Sequence, residues 1–453
     1  MSDSFRRDYI GAYGGDRIQT PNLDRLAKES VVFDHAYPEG LPTLPVRTAV
    51  FTGNWTLTNR FWQGLSPQDV TMAEILDEYD YTNAMFTDVY HMMKPNMNYH
   101  RGFHEWQWVR GQEADTYKTR PHSQNLDRYL KPEMYSDMMV RIVDQYLRNV
   151  EGRSGEDDFF AAKVMNEAIG WLDENANAHK PFFLYVDCFD PHEPWDAPPE
   201  YVAKHVDPDY QGPWIFSPKG GDFQWLNPEE LNHCRNLYAA EAEFVDRQIG
   251  RLLDKIRELG LMDNSLIVFM SDHGHPLGEH GKMLKMVDLL YSPLLRIPLF
   301  FRFPGGEHGG RRVPAMVQTV DILPTLLDAI GQSQENDYFH GQSLLPLITG
   351  QAQSIRKYAA MGFFSSEERC LRDQRYSYIR TQEGIANELY DLENDPDEQH
   401  NLIDEMRDKA EEMDRYLARI FRVRLQKEHG IQMRFDVPGK CERRFGPLRY
   451  WKK

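Results

Sequence analysis

No run of 18 apolar residues occurs anywhere in the chain, and its opening Met1-Ser2-Asp3-Ser4-Phe5-Arg6-Arg7-Asp8 is polar. A membrane-spanning helix needs about 20 apolar residues and a secretory leader needs a hydrophobic stretch, so neither is read here and a soluble, cytoplasmic protein is expected. Cysteine is sparse. Cys188, Cys234, Cys370 and Cys441 lie far apart with no Cys-x-x-Cys pair, which excludes a disulfide framework and a cysteine-built zinc site. Basic runs and basic amphipathic helices are absent and the formal charge is −18, which excludes nucleic acid and anionic membrane as partners. An anionic small molecule is not excluded, because a metal ion and a few cations in a pocket set the local potential. Internal repeats and low-complexity tracts are lacking too. What is present is 453 residues at 41% hydrophobic, enough for one large and one small unit.

Two stretches carry chemistry. In Leu41-Pro42-Thr43-Leu44-Pro45-Val46-Arg47-Thr48, prolines bracket a hydroxyl residue ahead of apolar helix formers. This predicts a helix capped by Thr43 or Leu44 with Pro45 in its first turn. Free amides, the positive end of the helix dipole and Arg47 would then converge on an oxyanion beside the Thr43 hydroxyl. The second stretch follows the apolar strand Leu266 to Met270 and reads Ser271-Asp272-His273-Gly274-His275-Pro276-Leu277-Gly278-Glu279-His280-Gly281-Lys282-Met283-Leu284-Lys285. Adjacent Asp and His at a strand's carboxyl end can both ligate one divalent ion, and an imidazole ligand favours manganese, zinc or iron over calcium. His275, His280 and Lys282 read as supporting or surface residues.

Further strands predicted at 181–186 and 81–86 end in Asp187-Cys188-Phe189-Asp190-Pro191-His192-Glu193-Pro194 and Thr87-Asp88-Val89-Tyr90-His91. Both place a histidine where open α/β sheets bind ligands. Helices are expected over 71–79, 157–175, 228–259 and about 403–425. Loops are expected over 94–113, and short strands in turn-rich sequence after residue 350.

Thr43-x-Pro45-x-Arg47 with Thr52-Gly53, the Ser271-to-Lys285 block, Pro191-His192-x-Pro194, and Tyr390-Asp391-Leu392 with Asn401-Leu402 together resemble the sulfatase family within the alkaline phosphatase superfamily. The resemblance implies an α/β sandwich with a central, mostly parallel mixed sheet flanked by helices, over 1–350. It also implies a small C-terminal subdomain, 351–453, with an antiparallel sheet, a helix and a basic tail. By the same match Asp3, Asp272 and His273 are metal ligands together with the nucleophile position, Thr43. Arg47, Lys285, His192 and His91 contact the anion or leaving group, with His192 as general acid. Departures are informative: Thr43 replaces the Cys or Ser that sulfatases oxidise to formylglycine, Val89 replaces a lysine, and Ser4 replaces a second acidic ligand. The strand that precedes the first ligand is missing before Asp3, so the first strand is expected to be truncated, and Asp3 to fray if Met1 is the start.

These departures lead to an expected metal-dependent ester hydrolase acting on a phosphodiester or phosphonate monoester through a covalent Thr43 intermediate, since a phosphothreonine can be resolved by water. The cofactor is one divalent ion, manganese or zinc before calcium or magnesium, and the substrate a small anionic ester. The alternatives carried are a sulfuric ester hydrolase and a non-catalytic sulfatase-like protein that binds an anion. The tail Gly430 to Lys453 reads as an oligomer contact, an arm or a solvated tail.

Overall fold

The computed structural model of the chain describes residues 1–57, 60–177, 180–332 and 339–429, with side chains of the last helix given to Phe421. The basic tail 430–453, with Cys441, lies outside the described residues. Two compact units form: Met1–Val32, Val70–Lys285 and Pro298–Arg311 make the first, and Phe33–Asp69, Met286–Ile297 and Arg312–Lys453 the second. The expected boundary at 350 falls inside the second unit. No described helix is long and apolar enough to cross a membrane.

In the first unit the apolar runs at 82–87 and 182–187 become the parallel pair Thr82–Thr87 and Phe182–Asp187, in register from Thr82↔Phe182 to Thr87↔Asp187. The short strand Glu105–Trp108 adds in parallel on the other side. It lies within a segment read as loop, because four residues carry too little alternation to reveal a strand. Ile267–Met270 pairs antiparallel with Leu299–Arg302, which pairs antiparallel with Val31 and Val32.

The first residues close the gap between these groups. Ser2 bridges Cys188 and Ser271 in parallel, the Met1 ammonium donates to the Val186 carbonyl at 2.7 Å, and Asp3 N–H donates to the Cys188 carbonyl at 2.8 Å. Tyr238 adds a further tie, its hydroxyl donating to the Ser4 carbonyl and accepting from Arg6 N–H, both at 2.8 Å. Asp3 is therefore fully buried rather than frayed.

The helix Pro228–Glu258 begins with Asn227 and Glu230 in a reciprocal capping box and Pro228 in its first turn, two devices that satisfy or remove orphan amides. It stops at Leu259 before Gly260, whose φ of 69° a glycine adopts without strain. Leu237, Phe244, Val245 and Leu253 on its inner face join Val164, Ala168 and Leu172 of the helix Phe160–Asn175 in one core. Each such fully buried aliphatic or aromatic side chain contributes about 1.5–3 kcal/mol.

The second unit contains the antiparallel strands Ala359–Phe363, Arg369–Arg372, Tyr376–Arg380 and Glu388–Asp391. Gly40–Leu41 lies parallel beside the first of them. Ala410, Met413, Leu417 and Phe421 recur at helical spacing along Arg407–His429 and pack on Leu371, Tyr378 and Leu389. The helix Thr43–Thr52 is buried along its whole length.

Candidate active site

The backbone turn after Ile267–Met270 assembles the first group of side chains. Ser4 N–H and His273 N–H both donate to Asp272 Oδ1, at 3.0 and 2.8 Å, which aims Asp272 Oδ2 at the imidazole. His273 holds its Nδ1 against the Gly274 carbonyl at 2.8 Å. An N–H must therefore sit on Nδ1, leaving Nε2 with its lone pair directed inward. Nε2 lies 3.5 Å from Asp272 Oδ2 and 3.9 Å from Asp3 Oδ1, and Ser4 Oγ donates to Asp3 Oδ1 at 2.8 Å. The three side chains are fully buried, with ligand atoms all within 4.8 Å of one another. Two carboxylates and an oriented imidazole stripped of water fit one divalent cation, since buried carboxylates need a compensating charge.

The loop after Phe182–Asp187 supplies a second group. The His192 ring stacks on Phe189 at 4.0 Å between centroids. Its Nδ1 sits 2.6 Å from the Glu193 carbonyl and its Nε2 receives the Lys285 ammonium. Burial, then the Lys285 charge, drives the His192 pKa well below the usual histidine range. The imidazole is thus neutral, with its proton on Nδ1. Glu193 Oε1 lies 3.6 Å from Lys285 Nζ, and Oε2 3.6 Å from His275 Nε2. Burial raises the Glu193 carboxyl to about 7 against the opposing pull of Lys285. His275, fully buried, packs between Trp195 and Tyr238.

His91 opens onto a third contact. It lies in the short helix Tyr90–Met93 with Nε2 3.6 Å from Glu113 Oε2, to which Tyr90 also donates at 2.6 Å. Burial lowers the His91 pKa although Glu113 opposes it. Val89, at the position of the family's lysine, is fully buried.

In the second unit Thr43 differs from expectation in detail. It is the first helical residue rather than the cap; Pro42 is the cap and makes no side-chain capping bond. The Thr43 hydroxyl is thereby released from the helix amides, and among the described residues its Oγ1 is buried with no hydrogen-bond partner. Arg47, fully buried, donates from Nη1 to the Thr43 carbonyl at 3.2 Å.

Residues 1–332 match the family model "Sulfatase". The chain belongs to the sulfatase family. Residues 278–424 also match "N-sulphoglucosamine sulphohydrolase, C-terminal". The chain is 25% identical to an uncharacterized sulfatase, YidJ, of Escherichia coli, over 90% of this chain and 82% of that protein. It is 28% identical to an ulvan-active sulfatase of Formosa agariphila, over 89% and 76%. In fold it resembles a phosphonate monoester hydrolase of Agrobacterium radiobacter, with a TM-score of 0.71 at 23% identity over 94% of each chain.

The sulfatase-family chain is an ester hydrolase of a divalent-metal-dependent family, and its Asp3, Asp272 and His273 are chemically suited to hold that ion. Sequence reading missed Glu193, Glu113 and a polar staple beneath them. In that staple Gln112 Nε2 donates to Asp88 Oδ2 at 3.0 Å and to Asp190 Oδ1 at 2.5 Å, while Phe189 N–H donates to Asp88 Oδ1 and Ala161 N–H to Asp190 Oδ2. These ties bind the loops bearing His91 and His192 to each other. Asp88, Cys188 and Asp190 also cluster closely enough for a metal, but both carboxylates are already occupied by amides. Nothing in a lone Gln or Glu within loop sequence marks such a contact.

Proposed function

We propose that this sulfatase-family hydrolase cleaves a sulfate ester borne on a saccharide. The observation that carries the reading is the buried pair of carboxylates and oriented imidazole of Asp3, Asp272 and His273, in a chain whose relatives include an N-acetylglucosamine-6-O-sulfatase of Bacteroides thetaiotaomicron, 24% identical over 89% of this chain, and the ulvan-active enzyme. A divalent cation held by those residues, manganese or zinc by its imidazole ligand, supplies Lewis-acid polarisation.

The chain's own residues divide the remaining work. The Thr43 oxygen attacks sulfur, the ester bond to the sugar breaks, and the alcohol leaves with a proton donated by the Lys285 ammonium; the proton lost by the Thr43 hydroxyl restores the lysine, so none is gained or lost overall. Neutral His192, accepting from Lys285 at Nε2, orients that ammonium. Arg47 and His91 stabilise non-bridging oxygens. Water then displaces the threonine oxygen from sulfur, giving hydrogen sulfate and restoring the hydroxyl.

A second reading, hydrolysis of a phosphodiester or phosphonate monoester, is favoured by Thr43 itself. A sulfated threonine lacks the internal release that an aldehyde hydrate provides, whereas water readily attacks phosphothreonine in line. The test is turnover of 4-nitrophenyl sulfate and of phenyl 4-nitrophenyl phosphonate by metal-loaded protein, beside Thr43→Ala. Faster sulfate release supports the first reading and faster phosphonate release the second. Equal inactivity of wild type and Thr43→Ala on both leaves an anion-binding protein without turnover.

A further inference from the structure

A cavity of about 380 Å³ opens in the second unit, walled by Trp55, Tyr358 and Tyr416 on its aromatic side and by Arg356, Arg419, Gln318, Gln342 and His340 on its polar side. Trp55 follows the end of the ten-residue helix that Thr43 begins, and the described lining residues include none of those assigned to catalysis. No carboxylate is among its described lining residues, although the chain holds 70 Asp and Glu residues against 52 Lys and Arg.

The decisive side chain is Arg356. It is 10% exposed, and its Nη2 donates to Asp321 Oδ1 at 2.5 Å. Asp321 is held in turn by Gln342 N–H at 3.0 Å and Gln318 N–H at 2.7 Å. That network fixes the guanidinium plane. Nη1 is left buried with no hydrogen-bond partner among the described residues. A buried unsatisfied donor is costly, the more so on a charged group, and a ligand oxyanion would recover that cost.

Beside this donor Tyr358 and Tyr416 pack on each other at 4.6 Å between centroids and 39°, with the Lys357 ammonium 4.9 and 5.1 Å from their centroids. The Tyr358 hydroxyl is engaged with Glu412 at 3.0 Å, so these side chains and Trp55 give the cavity an apolar wall. Gln318 donates its amide to the Ala360 carbonyl at 3.0 Å, which fixes its plane beside the cavity. The volume suits one small-molecule unit. We propose that this cavity binds one monosaccharide unit carrying a single oxyanion, sulfate or carboxylate, with Arg356 Nη1 and Arg419 on the anion and the aromatic side chains on the ring. It is a site separate from the residues assigned to catalysis, and it stands whether or not the ester-cleavage reading holds.

The experiment titrates N-acetylglucosamine 6-sulfate, unsulfated N-acetylglucosamine, glucuronate and inorganic sulfate into the full chain by calorimetry, with hydrogen exchange locating the contact. The Lys285→Ala background removes a contribution from the catalytic residues. The expected result is saturable binding of the sulfated or carboxylated sugar with protection of segments 352–358 and 414–421, and a Kd raised at least tenfold by Arg356→Gln and by Arg419→Ala. Tighter or equal binding of inorganic sulfate overturns the sugar. Protection confined to 188–194 and 271–285, or a Kd unmoved by the arginine variants, overturns the site. Should Arg356→Gln lose its folded circular dichroism, Arg419→Ala and Tyr416→Ala decide the matter.

Discussion

Lys285 directs its ammonium at Nε2 of His192, a contact spanning 93 residues of sequence. Because Nδ1 of the same ring lies against the Glu193 carbonyl, the histidine can only accept from the lysine, and the pair holds one positive charge that rests on Lys285. A cation so placed opposes protonation of its neighbour. Replacing Lys285 by Ala is expected to raise the His192 pKa toward the ordinary histidine range, read from imidazole NMR titration. It should also lower kcat/KM by about 10²–10³-fold, the usual loss for one anion-stabilising donor. An unchanged His192 titration would show that burial alone suppresses its charge.

Thr43 separates stability from activity. Its hydroxyl is buried without a partner among the described residues, so Thr43→Ala removes a group whose desolvation costs about 1–3 kcal/mol and sacrifices a methyl worth about 0.8 kcal/mol. Folding stability should stay level or rise, as measured by urea denaturation, while turnover disappears. Thr43→Ser, which keeps the oxygen, should retain activity. A large loss of stability in Thr43→Ala would mean that the hydroxyl serves packing instead.

Much of this arrangement was legible because the relevant side chains follow apolar strands. The runs before Asp272 and His192 announced both the strand and the turn that presents those residues, and the four C-terminal strands were separated by clear turn signals. The proline-bracketed hydroxyl points to Thr43 or Leu44 as the cap, since Ser and Thr favour that position, yet Pro42 takes it and Thr43 is the first helical residue. Glu193, Glu113 and Gln112 were illegible for another reason. Their roles come from loops brought together by strands 82–87 and 182–187, and no local spacing encodes that approach. Burial of Asp3 was also hidden, since it depends on backbone pairing with Cys188 and Met270 across more than 180 residues.

A divalent ion held by Asp3, Asp272 and His273 would join the chain's first residues to the end of strand Ile267–Met270, so removing it should loosen that connection. Dialysis against EDTA is expected to abolish turnover and lower Tm, and manganese or zinc should restore both. At a hundredfold excess over Kd the ion would stabilise the fold by about 2.7 kcal/mol. Asp272→Asn should reduce bound metal measured by elemental analysis. Full occupancy in Asp272→Asn, or a Tm indifferent to chelation, would remove these residues from the ligand set.

The Asp88–Gln112–Asp190 staple makes a prediction about pH whose sign is fixed by its burial. Asp190 is pushed up to about 6, chiefly by burial and opposed by Gln112 and Arg153, and burial with the Asp190 charge raises Asp88 further. The folded chain therefore holds this proton more tightly than the unfolded chain. The stability it brings is complete below the ordinary carboxyl range and is lost as pH rises through about 6. Asp190→Asn keeps the shape and carries no such charge, so its stability relative to wild type should improve between pH 4 and pH 7, by an amount on the order of 2 kcal/mol. Urea denaturation at one-unit intervals measures the difference. If it stays flat across that range, Asp190 is not protonated there, and the staple holds the His91 and His192 loops with an ionised group.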